Sequence, residues 1–271
     1  MPKLIGAFFL FILTTLSCCY CNLSDDASNK KHTVTIAGST SVMPFTEKLA
    51  EHFMVDHPEY IIDVQGGGST AGVQACMNNT VNIGMSSRQL KEEEMVLQEI
   101  VICYDGITIV VHPQNPINNL SLKQIRDIFS GKIKNWKELG WVDRRIDAVS
   151  REEGSGTRGS FEELVMRSED IDDGIMVQDS NGSVKEVIAT DPYAIGYISL
   201  GLVDSRVKAL SVDGIEPSLK NIKNKTYKVI RPFIYLSKGK LQEDSKIFVD
   251  YVLSKDGQKI LIKEGLIGIH D

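Results

Sequence analysis

The sequence predicts an α/β fold in which strands alternate with helices, and three observations carry that prediction. Strand-like runs occur at Val34-Thr35-Ile36-Ala37, Ile61-Ile62-Asp63-Val64 and Ile146-Asp147-Ala148-Val149. Each leads into a glycine turn of shared composition: Gly38-Ser39-Thr40-Ser41, Gly66-Gly67-Gly68-Ser69-Thr70 and Gly154-Ser155-Gly156-Thr157. After each turn apolar residues recur at helical spacing, namely Val42, Phe45, Leu49 and Phe53, then Val73, Cys76 and Met77, then Phe161, Leu164 and Val165. Ligands of such sheets lie beyond the carboxyl ends of the strands, where all three turns fall.

The turns have their own chemistry. First-turn amides of a helix lack an intrahelical partner and the helix dipole makes that end positive, so an oxyanion satisfies both. Ser and Thr add hydroxyl donors, and Arg151 adds a guanidinium suited to forked, charge-assisted pairing. Any one turn reads equally well as a capped helix, since Ser and Thr are favoured N-caps. Their threefold repetition points to an oxyanion pocket assembled from several turns.

The remaining elements follow in order. Val81-Asn82-Ile83-Gly84-Met85 reads as a strand, followed by the turn Ser86-Ser87-Arg88 and an acidic helix start at 91–94. Ile107-Thr108-Ile109-Val110-Val111 is a buried strand broken at His112-Pro113, where a first crossing between lobes is expected. Residues 121–140 read as compact helices carrying Ile125, Ile128, Phe129, Trp136 and Leu139, with Trp136 a core aromatic and Trp141 a loop aromatic. Ser180-Asn181-Gly182-Ser183 opens a helix through Val184, Val187 and Ile188, Ala194-Ile195-Gly196-Tyr197-Ile198 is a strand, and a return crossing is expected near 200–207. A strand over 227–235 and two closing helices, with Ile247, Phe248, Tyr251 and Val252, then Ile260 and Leu261, complete the chain.

Composition excludes several classes. A formal net charge of −6 over 271 residues argues against a nucleic-acid partner, so an anion must be held locally. Residues 1–17 read as a secretory signal, with Lys3 before an apolar run too short to span a bilayer. Leu16-Ser17-Cys18-Cys19 is similar to a bacterial lipobox, with Cys18 preferred to Cys19 as the lipidated residue and a plain signal cut elsewhere as the alternative; residues 18–32 then form a polar tether. Cys76 and Cys103 either pair or stay free. His32, His52, His57, His112 and His270 form no triad or metal spacing, Ser155 is not in a Gly-x-Ser-x-Gly elbow, and no phosphate-binding Gly-Lys-Ser/Thr loop exists. The expectation is a binding protein without enzyme activity, metal or cofactor.

Taken in order and spacing, Gly38-Ser39-Thr40-Ser41, Gly67-Gly68-Ser69, Gly84-Met85-Ser86-Ser87-Arg88, Arg151 with Gly154-Ser155-Gly156-Thr157, and Ala194-Ile195-Gly196-Tyr197-Ile198 resemble the phosphate-binding proteins of bacterial high-affinity phosphate ABC importers, from about residue 33 onward. The resemblance implies a type II periplasmic-binding-protein fold, two α/β lobes joined by a hinge: 33–111 with 206–271, and 112–205. Inorganic phosphate would sit in the cleft, held by Thr40, the Ser41 amide, Ser69, Ser87, Arg151, Ser155, Gly156 and Thr157. It further implies a monomer outside the cytoplasmic membrane, lipid-anchored and serving ABC permease subunits. Better-known members have an aspartate where this chain has Ser87, and a carboxylate, which only accepts, favours an oxyanion bearing a proton. Serine removes that repulsion of sulfate, leaving another tetrahedral oxyanion, or a surface phosphate sensor or adhesin, as alternatives; Arg88 is read either as a second cation or as a solvent-facing residue.

Overall fold

The computed structural model describes residues 31–270, so the signal segment, Cys18 and almost all of the tether lie outside the described residues. The first strand, β1 (His32–Gly38), starts on the residue expected to end the tether, and His32 stacks on Tyr60 with ring centroids 5.0 Å apart. Helix α1 (Met43–Asp56), β2 (Tyr60–Gly66), α2 (Ser69–Met77) and β3 (Ile83–Ser86) follow, with β2 and β3 both parallel to β1. Pro44 occupies the first turn of α1, where no amide bond is lost. At the end of β1 the backbone needs glycine: Gly38 has φ +143°, and a Cβ there would stand 2.2 Å from the Met85 carbonyl oxygen.

The expected acidic helix is a single 3₁₀ turn, Glu92–Glu94. Glu94 closes a capping box onto the Lys91 amide at 2.9 Å and is forked by Arg88, and after this one turn the chain enters β4 (Gln98–Val111). After β4 come β5 (Asn119–Leu120), α3 (Leu122–Phe129), β6 (Asp147–Arg151), α4 (Gly156–Phe161), β7 (Met176–Gln178), α5 (Asn181–Thr190) and β8 (Ala194–Ser199). A capping box starts α3, with Ser121 Oγ accepting from the Gln124 amide at 3.2 Å and Gln124 Oε1 accepting from the Ser121 amide at 2.8 Å. The last part comprises β9 (Lys208–Ala209), β10 (Ser211–Val212), α6 (Leu219–Lys223), β11 (Ile230–Ser237), α7 (Glu243–Leu253), α8 (Lys255–Lys263) and β12 (Ile267–Gly268).

One sheet runs in the order β2-β1-β3-β11-β4-β8-β6-β7, with β9 and β12 also on β4. Two parallel groups, β2-β1-β3 and β8-β6-β7, flank the antiparallel pair β11-β4. One large hydrophobic cluster gathers Phe45, Phe53, Phe233 and Phe248; the other gathers Phe129, Trp136, Phe161 and Tyr197, with the Phe161 and Tyr197 rings stacked at 3.9 Å. Trp136 is fully buried and donates its indole N–H to the Tyr193 carbonyl, while Trp141 packs on it.

The changeover between the clusters differs from the expected crossings. β4 pairs with β11 through Gly106 and with β8 from Ile107 onward, so the crossing falls inside a continuous strand and not at His112-Pro113, which merely ends it. Leu210, Val212, Ile222, Tyr227 and Val229, all beyond 206, pack with the second cluster, and the chain rejoins the first along β11. The proline ends the strand as expected, while the change of ladder partner, between Gly106 and Ile107, sets the crossing. Cys76 and Cys103 are both buried and free.

Candidate anion-binding site

The carboxyl ends of β1, β2, β3 and β6 bring their turns to one place. Backbone bonds fasten them: the Gly68 amide donates to the Gly38 carbonyl at 3.0 Å, and the Thr70 amide donates to the Gly154 carbonyl at 3.1 Å. Across the junction Ser41 Oγ and Thr157 Oγ1 are 2.7 Å apart, and Arg151 Nη2 donates to Thr40 Oγ1 at 3.1 Å. Ser69 Oγ accepts from the Ser87 amide at 3.1 Å, and the two hydroxyls are 3.4 Å apart. Gly156 faces this pair so closely that a Cβ would lie 2.1 Å from Ser69 Oγ and 2.6 Å from Ser87 Oγ. Thr40, Ser41, Ser69, Ser87, Arg151, Gly156 and Thr157 are therefore brought together, all but Thr40 fully buried.

Two expected roles look different in detail. Ser155 Oγ is the N-cap of α4, accepting from the Arg158 amide at 3.3 Å, with its hydrogen left to donate. The Ser41 amide donates to Ser39 Oγ at 3.2 Å, so the hydroxyl of Ser41, more than its amide, addresses the junction.

Arg151 is 1% exposed and its atoms are divided between two tasks. Nε and Nη2 bind the Glu152 carboxylate at 2.9 and 3.0 Å and the carbonyls of Gln178 and Asp179, which fixes the plane of the guanidinium. Nη1 is buried with no hydrogen-bond partner. A buried guanidinium N–H left open costs stability, and at a functional site it marks the place of a ligand acceptor. Tyr197 supports the turn from below: its hydroxyl accepts from the Arg151 amide at 3.3 Å and pairs with Ser150 Oγ at 2.8 Å, and burial pushes its pKa up to about 12.

Sequence reasoning missed a second guanidinium. Arg231 of β11, 1% exposed, donates from Nη2 to Ser41 Oγ at 3.1 Å and from Nη1 to Ser87 Oγ at 3.2 Å. Its counterion is Asp105 of β4, directly opposite in the ladder, which accepts from Nε at 3.0 Å and Nη2 at 2.9 Å, and from Ser199 Oγ at 2.9 Å. Burial raises the Asp105 carboxyl while Arg231 pulls it back. Asn181, the first residue of α5, donates from Nδ2 to Ser41 Oγ at 2.8 Å. The available signals were weak: an arginine within an apolar strand run and an aspartate just ahead of another. Arg88, read as a second cation or a solvent-facing residue, is neither: it is 6% exposed and forked onto Glu94 at 2.7 and 2.8 Å. Among the described residues no cluster of His, Cys, Asp and Glu is arranged to hold a metal ion, and no helix is long and apolar enough to cross a membrane.

The model of the PBP superfamily domain matches residues 24–256. The chain is 35% identical to the phosphate-binding protein PstS of Bacillus subtilis, covering 92% of this chain and 85% of that protein. It is 30% identical to PstS of Borreliella burgdorferi, covering 99% of each. Among solved structures, a putative phosphate ABC transporter substrate-binding protein with bound phosphate from Clostridium perfringens superposes with a TM-score of 0.86 at 45% identity, covering 88% of this chain and all (100%) of that one. An ABC-type phosphate transport receptor from Vibrio cholerae gives a TM-score of 0.72 at 37% identity, covering 86% and 99%. The chain belongs to the PBP superfamily, in the family of the PstS phosphate-binding proteins, and its α/β body has the type II form of that fold.

Proposed function

We propose that this protein binds inorganic phosphate outside the cytoplasmic membrane and delivers it to an ABC-transporter permease, acting as a binding protein and not as an enzyme. The observation that carries the reading is the open Nη1 of Arg151, buried beside hydroxyls from four turns. In this reading Thr40, Ser41, Ser69, Ser87, Ser155, Gly156 and Thr157 surround the anion and Arg151 supplies the charged donor. The two packed clusters act as lobes that close over it, with β4 and β11 as the shared element between them. The lipid anchor at Cys18 and the monomeric state belong to the same reading.

Hydrogen bonds to an ionised group contribute about 1.5–3 kcal/mol each. Eight of them exceed the roughly 8 kcal/mol of micromolar binding, and the surplus offsets dehydration of phosphate and the cost of closure. Calorimetric titration with phosphate tests the reading. Arg151→Ala should weaken binding at least a hundredfold, and unchanged affinity would remove Arg151 from the site. A phosphate-ester turnover assay should stay silent, and mass spectrometry of the mature N-terminus should find a diacylglyceryl group on Cys18.

A further inference from the structure

Asn181 opens α5 on one side of the cleft, yet its side chain is bound on the other. Helix α5 packs through Val184 and Ile188 with Ala194 and Ile198 of β8. Ser41 lies between β1 and α1, beside Val42 of the cluster around Phe45 and Phe53. The bond from Asn181 Nδ2 to Ser41 Oγ, 2.8 Å long and spanning 140 residues of chain, therefore crosses the junction. Both residues are buried, at 2% and 1% exposure.

The direction of this amide is fixed by its surroundings. Ser180 caps α5, its Oγ accepting from the Ser183 amide at 3.0 Å, which sets the helix start. The carbonyls of Gln178 and Asp179 hold Arg151, so the segment 178–181 places the guanidinium and the amide together. Asn181 Oδ1 accepts from the Ser199 amide at 3.2 Å, and that role assigns the other end of the group as NH₂. Ser199 Oγ donates to Asp105, Asp105 accepts from Arg231, and Arg231 donates to Ser41 Oγ. Ser41, Arg231, Asp105, Ser199 and Asn181 thus close a ring of buried polar groups that passes through the β4–β11 pair and returns across the cleft.

We propose that Asn181 is a positioning residue for anion capture: its amide latches onto Ser41 when the lobes close, the ring behind it holds the latch in place, and the bound state lasts longer although Asn181 does not touch the anion. The inference rests on the phosphate-binding reading above and deepens it. The other links of the ring are underlain by strand ladders or helix packing, β11 on β3, β4 on both β11 and β8, and α5 on β8. Lobe opening leaves those links in place and parts Asn181 from Ser41. A contact made only after closure slows departure of the ligand and leaves its arrival unchanged.

The test is stopped-flow and calorimetric titration with inorganic phosphate. Asn181→Ala suits the helix start, and it should raise the phosphate Kd about tenfold, through the dissociation rate, with the association rate changed by less than about twofold. Because the amide acts through Ser41, the same substitution made in a Ser41→Ala background should change Kd by less than about twofold. A tenfold loss that persists in that background would put Asn181 on the anion itself and overturn the latch. A loss carried by the association rate, or no loss at all, overturns it as well, and each of these outcomes leaves the phosphate reading intact. A wild-type measurement decides the matter if Asn181→Ala does not fold: exchange of the Asn181 side-chain NH₂ protons, followed by NMR, should slow at least about tenfold on adding phosphate. Equal exchange with and without phosphate overturns the proposal. Wild-type protein that binds no phosphate overturns the phosphate reading and the latch with it.

Discussion

The hydroxyls of Ser41 and Thr157 lie 2.7 Å apart although 116 residues of chain separate them. This bond ties the turn after β1 to the start of α4. Thr157→Val keeps the shape and deletes the hydroxyl. Phosphate affinity should fall about tenfold, the loss of one or two neutral hydrogen bonds. A cycle with Ser41→Ala should be non-additive by roughly 1 kcal/mol, because the two residues share one network. Strict additivity in calorimetric titrations would show that the bond does not couple them.

Gly156 is a second point where the turns press together. A methyl group there would enter the space between Ser69 Oγ and Ser87 Oγ, at 2.1 and 2.6 Å. Gly156→Ala should force the turns apart, weaken phosphate binding by a hundredfold or more and cost about 1–3 kcal/mol of stability, the usual cost of overpacking a buried site. Retained affinity would show that the junction can open by an ångström at little cost.

The Arg88–Glu94 pair should reveal itself in acid. The Arg88 hydrogen bond holds the Glu94 carboxyl below the usual carboxylate range. A folded-state value below the unfolded one gives stability that is present above about pH 4.3 and is lost as pH falls through the folded value. Glu94→Gln leaves Arg88 buried and uncompensated, and should cost about 3–5 kcal/mol near neutrality. Denaturant titrations from pH 7 down to pH 2 should show the wild type and variant converging at the acid end, with ligand affinity at neutral pH nearly unchanged.

Cys76 and Cys103 should resist thiol reagents in the folded protein. Burial raises both thiols, Cys103 well above its ordinary value, and the thiolate is the reactive species. Peptide mapping after iodoacetamide treatment should find both unmodified in the native state and both modified in guanidinium. A recovered Cys76–Cys103 cross-link would contradict the free thiols.

Most of the site was legible because it is built from local grammar. A strand, a glycine turn with Ser and Thr, and a helix form a contiguous signal, and sheet topology then brings the carboxyl ends together. Arg231 and Asp105 were not legible, since they meet only through the antiparallel register of β11 and β4, 126 residues apart. Nothing in either local pattern says that a charge inside an apolar run has its counterion on the next strand. The crossing inside β4 was hidden for a related reason: Asp105-Gly106 separates two strand-like runs, 100–104 and 107–111, and only their pairing with β11 and β8 makes them one strand. The acidic run 91–94 suggested a helix, and its start is indeed a capping box, but only one 3₁₀ turn forms before the chain enters β4.

Each guanidinium of the pocket comes with its own carboxylate, Arg151 with Glu152 and Arg231 with Asp105. A dianion approaching from solution therefore meets no excess of positive charge, only the far field of a chain with a formal charge of −6. Capture is then a diffusive encounter against mild repulsion, with attraction beginning only at contact range. Raising ionic strength should speed association and leave the departure rate almost untouched, the reverse of the behaviour of anion sites lined with unpaired lysines and arginines.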